Sequence, residues 1–269
     1  MPEGHVIHRL AARYKEAFAN GVVTVSSPQG RFADGAARLD QTTLTETDAY
    51  GKQLFLGFGF LGWVRVHLGL YGKVTFGRAP TPAPVGAIRL RMENDEAFAD
   101  LRGPTVCELI VPAEKRAVVD RLGPDPLRAD ADPDLAWRRI SRSRVNIATL
   151  LMDQAVVAGV GNIYRCEVLF RHGIDPHLPG RELTAGEWQT IWADLVTLMR
   201  DGFEVGRIDT VYPEHMPETM GRPPREDEHG GEVYVYRRAS QPCHVCETAV
   251  LSARISGRNL FWCPTCQKR

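Results

Sequence analysis

The chain has no excess of charge of either sign: 33 Lys and Arg are matched by 33 Asp and Glu, a formal net charge of zero. The basic total that marks many chains built to coat polyanions is therefore missing, and any attraction to phosphate has to come from local patches. Such patches exist. From Arg237 onward the cations Arg237, Arg238, Arg254, Arg258, Lys268 and Arg269 meet a single acid, Glu247, and a second basic cluster is Arg138, Arg139, Arg142 and Arg144. The compensating acids gather elsewhere, in Glu226, Asp227 and Glu228 and between Asp130 and Asp134.

Long apolar runs are missing too. Residues 1–20 carry charge throughout and hold no apolar segment of the kind that directs export. The most apolar stretch, Leu54 to Leu70, is broken by Gly57, Gly59, Gly62 and Gly69 and carries Arg65 and His67, so it reads as strands and not as a membrane span. No internal repeat is visible. The expectation is a soluble cytoplasmic chain. Cysteine is sparse, six in 269 residues. Four of them fall in two CxxC pairs, and in a chain without an export signal that grouping favours metal over disulfides. The length exceeds a typical single domain, so more than one lobe is expected.

Residues 3–19 place Val6, Ile7, Leu10, Ala11, Tyr14 and Phe18 at helical spacing, with Gly21 as a stop. Short apolar runs separated by Gly, Pro and Asp follow at 22–25, 53–58, 62–67, 73–76, 87–91 and 107–111, the texture of an antiparallel sandwich or barrel. Pro and Asp crowd the next segment, which reads as a linker. Beyond it the pattern turns helical, at 134–140, at 147–152, and from Ile163 to about Arg171 after the turn AGVGN. Thr184 and Glu187 form a capping box that opens a long helix ending near Gly202. Residues 206–232 mix Pro, Gly and charge and read as an exposed loop. The fold class is thus α+β, divided as 1–123, a linker at 124–132, a helical domain at 133–235, and a hairpin at 236–269.

That last segment is its own unit. Cys243 and Cys246 are followed, after sixteen residues, by Cys263 and Cys266, with strand (249–255), turn (256–259) and strand (260–262) between them. Two such knuckles closing a hairpin offer tetrahedral thiolate ligation, which suits one structural zinc ion; two disulfides or free thiols are the alternative. So small a hairpin buries too little to hold itself together, whereas zinc binding contributes about 10–16 kcal/mol in finger peptides.

Five segments, in order, carry a family resemblance: MPEGH at the start, GKQLFLGF at 51–58, HLGLYG at 67–72, QAVVAGVGNIYRCEVLFRHGIDP at 154–176, and GRNLFWCPTCQ at 257–267. Together they resemble the formamidopyrimidine-DNA glycosylase/endonuclease VIII family over essentially the whole chain, with PEGH and HLGLYG most like endonuclease VIII-like actinobacterial members. The resemblance implies an N-terminal β-sandwich with the first helix attached, a helix-two-turns-helix domain, and a zinc-bound β-hairpin, with DNA in the cleft between the lobes. It implies a monomer that excises oxidised bases from double-stranded DNA, needs no cofactor besides zinc, and cuts the strand. Oxidised pyrimidines are the expected lesions, with oxidised purines as the alternative.

By that resemblance Pro2 is the nucleophile, which requires removal of Met1. A small second residue permits that removal, and a terminal amine titrates two to three units below lysine, so far more of it is unprotonated near neutrality. Glu3 is the implied acid/base, worth about 10²- to 10⁴-fold; otherwise it is an acid favoured at a helix N-terminus. Lys52 is the implied contact to the phosphates beside the lesion, otherwise a solvated strand-end lysine. Asn162 and Arg258 are the implied phosphate contacts, the first otherwise a helix cap, the second presented by the hairpin tip. Leu70 and Tyr71 match residues that fill the gap left by a flipped nucleotide, or are two strand-end core residues. Many members carry a second acid where this chain has Val6, and some endonuclease VIII-type members have a polar residue where it has Gly69. His5, His8 and His67 read as structural. Two rival classes remain: a zinc-hairpin protein that binds abasic or distorted DNA without chemistry, and a zinc-ribbon factor, which accounts for residues 243–266 alone.

Overall fold

The computed structural model describes residues 2–227 and 231–268. Met1, together with Glu228, Arg269 and the 229–230 part of the expected loop, lies outside the described residues. The chain divides into two compact units, Met1–Arg121 and Leu122–Arg269.

The first unit contains α1 (Gly4–Phe18), β1 (Val22–Ser26), α2 (Ala33–Leu39), β2 (Thr42–Thr43), β3 (Glu46–Tyr50), β4 (Gln53–Gly57), β5 (Trp63–His67), β6 (Lys73–Arg78), β7 (Ile88–Glu93), β8 (Ala97–Arg102), β9 (Val106–Ile110) and α3 (Pro112–Val119). Its strands form two antiparallel sheets, ordered β2-β1-β7-β8-β6 and β3-β4-β5-β9. The unbroken apolar run in β4 follows from burial on both faces. Leu54 and Leu56 join Ile7, Leu10, Tyr14 and Phe18 of α1 and Leu90 and Met92 of the other sheet, while Phe55 turns the opposite way onto Trp63, Ile110 and α3. Five further elements, α2, β2, β3, β8 and α3, carry too little apolar periodicity to be read from sequence. In β8 the reason is explicit. Asp100 lies buried directly opposite Arg91 in the ladder, accepting from its Nε and Nη2 at 2.7 and 2.9 Å.

The second unit contains α4 (Pro133–Ile140), α5 (Ile147–Met152), α6 (Asn162–Arg171), α7 (Ala185–Val205), α8 (Pro217–Met220), β10 (Leu251–Ile255) and β11 (Arg258–Trp262). α4, α5 and α7 begin where side chains accept their orphan N–H groups: Asp132 from Asp134, Asn146 from Thr149, and Thr184 from Glu187 in the expected capping box. α7 continues past Gly202, which is buried as a packing residue, and stops at Val205 with Gly206 in the left-handed conformation. α5 and α6 are joined by a double turn closed by one side chain. Gln154 donates to the carbonyls of Met152 and Val160 at 3.1 and 2.9 Å and accepts from the Gly159 N–H at 2.9 Å. Residues 123–126, at the start of the proline- and aspartate-rich segment, are buried; Gly123 N–H donates to the Gln154 carbonyl and Ala158 N–H to that of Pro124.

Among its described residues the segment 206–232 is largely the exposed loop expected of it, but it is pinned near both ends. Ile208, Thr210 and Glu232 are buried, and Thr210 N–H donates to the Glu232 carbonyl at 2.9 Å. Arg171 anchors it, held by Asp194 at 2.6 and 2.8 Å, donating to the Thr210 carbonyl at 2.5 Å and stacked 3.9 Å over the Tyr212 ring. Arginine and threonine anchors leave no hydrophobic period, so composition shows the loop but not what pins it. Among the described residues no helix is long and apolar enough to cross a membrane.

Candidate functional site

The candidate residues fall into two sets, one in each unit. In the first unit α1 runs back along β3: Ala19 bridges Leu44, and Thr47 Oγ1 donates to the Ala11 carbonyl at 2.9 Å. From Ala11 to Glu3 is about 12 Å of helix at about 1.5 Å per residue, a span that about four residues of strand also cover. The start of α1 therefore lies at the end of β3 that leads into Lys52. The pairing of Leu54 with Val66 brings His67 to that same end of the sheet.

Pro2 is half-buried and extends the chain ahead of α1. Glu3 occupies the N-cap position in extended conformation and is almost fully buried, yet its side chain makes no capping hydrogen bond. Capping is therefore not what holds a carboxylate there. Val6, where many relatives of the resembled family have an acid, is half-buried against the apolar core. His5 is buried, and burial followed by the charges of Arg9 and His8 pushes its pKa down to about 4, so it is neutral near pH 7.

Lys52 stands not at the strand start but in the two-residue turn that closes β3 on β4, between the paired Tyr50 and Gln53. Gly51 supplies the positive φ of 55° that the first central position of such a turn demands. The Lys52 charge reaches His67, whose pKa is lowered first by burial, then by Lys52 and Arg65. From His67 the chain enters the tight loop Leu68–Gly72, closed by Gly72 N–H donating to the Leu68 carbonyl at 3.0 Å. Gly69 has φ 66°, and a Cβ there would lie 1.9 Å from Thr105 Oγ1; a Cβ at Gly72 would lie 2.3 Å from the Leu68 carbonyl. The backbone thus leaves room for no other residue, and it turns Leu70 and Tyr71 outward, 47% and 87% exposed. They are not core residues at a strand end.

In the second unit Asn162 is the first residue of α6, and Gly161, not Asn162, is the N-cap. The Asn162 side chain is buried and Nδ2 donates to the Asn259 carbonyl at 2.8 Å. That bond ties α6 to the hairpin beside Arg258. The hairpin turn is shorter than expected, Ser256-Gly257 alone, with φ 49° and 76°, and Arg258 pairs with Ile255 as the first residue of β11. Arg258 is half-buried at the base of that turn.

The four cysteines converge. All their Sγ atoms lie within 4.8 Å of one another, Cys243 to Cys266 at 3.9 Å and Cys246 to Cys263 at 3.4 Å. Those separations exceed the roughly 2.05 Å of a disulfide bond. They suit four thiolates about 2.3 Å from one tetrahedral ion, which places sulfurs about 3.8 Å apart. The residues present thus fit one structural zinc. Gln267 joins the cluster to the helical body, accepting from Cys263 N–H and donating to the Ile174 carbonyl, both at 2.9 Å.

Two buried charged residues escaped the sequence reading. Glu167 of α6 accepts from Thr210 Oγ1 at 2.6 Å and from the N–H groups of Tyr234, Val235 and Tyr236 at 2.7, 2.9 and 2.8 Å. It thereby fixes the segment leading to Cys243. Arg165 donates through Nη2 to both Asn162 Oδ1 and the Asn259 carbonyl. Both lie within the 154–176 segment that carries the resemblance, yet nothing in that segment alone names their partners; buried charge on a largely apolar helix is the signal available.

Comparison with known proteins covers the same ground. The formamidopyrimidine-DNA glycosylase N-terminal domain matches residues 1–107, the formamidopyrimidine-DNA glycosylase H2TH domain residues 122–212, and the zinc finger found in FPG and IleRS residues 240–269. Endonuclease 8 1 of Mycobacterium tuberculosis is 51% identical, covering 99% of this chain and 100% of that protein. A formamidopyrimidine-DNA glycosylase of Parasynechococcus marenigrum is 33% identical, covering 75% of this chain and 73% of that one. Among solved structures, Lactococcus lactis Fpg in complex with abasic-site DNA has the same fold, with a TM-score of 0.78 at 18% identity, covering 99% of this chain and 100% of that one. The chain belongs to the formamidopyrimidine-DNA glycosylase/endonuclease VIII family, as a DNA glycosylase of DNA repair with a zinc-finger hairpin.

Proposed function

We propose that this glycosylase is bifunctional, releasing an oxidised base and then cutting the strand, with Pro2 as nucleophile once Met1 is removed. The observation that carries the reading is Glu3: a carboxylate buried next to Pro2 that does not cap its helix. The proline nitrogen attacks the sugar C1′; the new C–N bond forms as the glycosidic bond breaks, and the base leaves carrying a proton. Glu3 protonates the ring oxygen as the sugar opens to an iminium. The iminium acidifies the C2′ proton, whose loss expels the 3′ phosphate. A second elimination expels the 5′ phosphate.

Lys52, Asn162 and Arg258 are assigned to phosphates of the DNA, and the exposed Leu70 and Tyr71 to the gap left by the flipped nucleotide, where an inserted side chain offsets part of the stacking lost. Oxidised pyrimidines in double-stranded DNA are the assigned substrates, supported by the 51% identity to a protein named endonuclease 8. The protein acts as a monomer, and its boundaries of function follow the sandwich, the helical domain and the hairpin.

The test is borohydride trapping of untagged protein, its terminus shown by mass spectrometry to begin at Pro2. Duplexes carry an abasic site, 5-hydroxyuracil or 8-oxoguanine. An adduct mapping to Pro2, formed faster on 5-hydroxyuracil than on 8-oxoguanine, is expected. Faster trapping on 8-oxoguanine transfers the assignment to oxidised purines, and no adduct on any duplex, with zinc bound, leaves a DNA-binding protein without lyase chemistry.

A further inference from the structure

Arg165 is fully buried, and among the described residues no carboxylate forms an ion pair with it. Among the described residues, its Nε and Nη1 have no hydrogen-bond partner. An uncompensated buried guanidinium is costly, and such a group persists only where something nearby uses it. Two groups accept from Nη2: the side-chain oxygen of Asn162, one of the proposed phosphate contacts, and the carbonyl of Asn259, next to Arg258, at 3.3 Å for the latter. The same carbonyl accepts from Asn162 Nδ2 at 2.8 Å. Three groups therefore form a closed triangle, with one carbonyl shared by two donors. The Asn162 amide is fixed in orientation, because Arg165 can only donate and so must face its oxygen.

We infer that Arg165 is a positioning residue for the phosphate contact of Asn162, acting by fixing the orientation of its amide. The amide carries two N–H groups, one on the Asn259 carbonyl and the other left to serve a phosphate. With Arg165 on the amide oxygen, Nδ2 faces the Asn259 carbonyl, and the hairpin residue next to Arg258 stays tied to α6. A neutral amide at 165, which can accept as well as donate, would let the Asn162 amide flip and turn its oxygen towards the phosphate.

The inference rests on the assignment of Asn162 to a phosphate, and a double-mutant cycle separates the two. Affinity for a duplex carrying an uncleavable tetrahydrofuran abasic analogue is measured for the zinc-loaded wild type, Asn162→Ala, Arg165→Gln and the double variant. Arg165→Lys serves as a second variant that keeps the charge but offers no fork, and zinc content and melting temperature check the fold of each. Expected are losses of about tenfold for Asn162→Ala and for Arg165→Gln, partial recovery in Arg165→Lys, and a double variant no weaker than Asn162→Ala. Multiplicative losses would show that Arg165 supports the fold and not the contact, overturning the proposal. Full affinity in Arg165→Gln with a weakened Asn162→Ala would overturn it while sparing the phosphate assignment. Full affinity in Asn162→Ala would remove both.

Discussion

At the scale of single residues, function is visible where a side chain sits against its own preference. Tyr71 is an aromatic left 87% exposed. Removing it loses no core contact, so Tyr71→Ala is expected to leave stability within about 0.5 kcal/mol. On the proposed role of Tyr71 as a wedge, turnover on a lesion in duplex DNA should fall by about tenfold, because such a side chain offsets part of a flipping cost of a few kcal/mol. Thermal melting beside single-turnover excision checks both halves, and a large stability loss would return Tyr71 to an ordinary packing role. His5 is the converse case, an ionisable ring kept neutral by burial with a pKa of about 4. In the unfolded chain its pKa is about 6.5, so above that value it contributes nothing to pH dependence. As pH falls from about 6.5 towards 4 the unfolded state takes up the proton first, and stability is lost. Denaturation midpoints across that range should fall less steeply in His5→Gln than in wild type. Parallel slopes would mean that the ring is not buried neutral.

At the scale of elements, the loop Leu68–Gly72 earns its shape from two glycines. Gly69→Ala meets both a φ of 66° and Thr105 Oγ1 at 1.9 Å, so a loss of about 2 kcal/mol and a weaker excision rate are expected. Gly86 also has positive φ, 72°, but nothing lies within 4 Å of an added Cβ. Gly86→Ala should therefore cost about 1 kcal/mol and leave excision unchanged. Equal excision rates in the two variants would disconnect the loop from function. The contrast also shows what could be read from sequence. β5 was legible because apolar side chains facing a core repeat with a period of two, β4 because a strand buried on both faces is an unbroken apolar run, and capped helices such as α7 because the cap residues bond backbone directly. β8 and the anchors of the 206–232 loop were not, because they include buried Asp100, Thr210 and Glu232, whose partners Arg91, Glu167 and Arg222 only folding brings to them. Motif residues could be named without knowing their surroundings. Arg165 and Glu167 could not, since their roles exist only in the partners that folding brings to them.

At the scale of the whole molecule, the zinc hairpin is a small element made useful by its attachments. β10 and β11 pair over five residues each, Leu251 against Trp262 through Ile255 against Arg258. An isolated hairpin of that size is marginal in water. Two features hold this one. Val250, Leu260 and Phe261 enter the core of the second unit, and the four thiolates bind the ends of the strands to one ion. The packed residues lie towards the cysteine end, as does Gln267, whereas Arg258 lies at the turn, reached by the Asn162 bond to the Asn259 carbonyl. Loss of metal should therefore leave the helices folded while the turn loses its register. Chelation, or Cys263→Ser, is expected to weaken binding to an abasic-analogue duplex by at least about tenfold. The slope of log K against log salt should also fall by about one, the share of a single arginine–phosphate contact. Arg258→Ala in zinc-loaded protein should reproduce the slope change alone. If metal-free protein, shown to contain no zinc, binds with unchanged affinity and slope, then the apolar packing of Leu260 and Phe261 is sufficient to present Arg258, and the ion stabilises the chain without serving the contact.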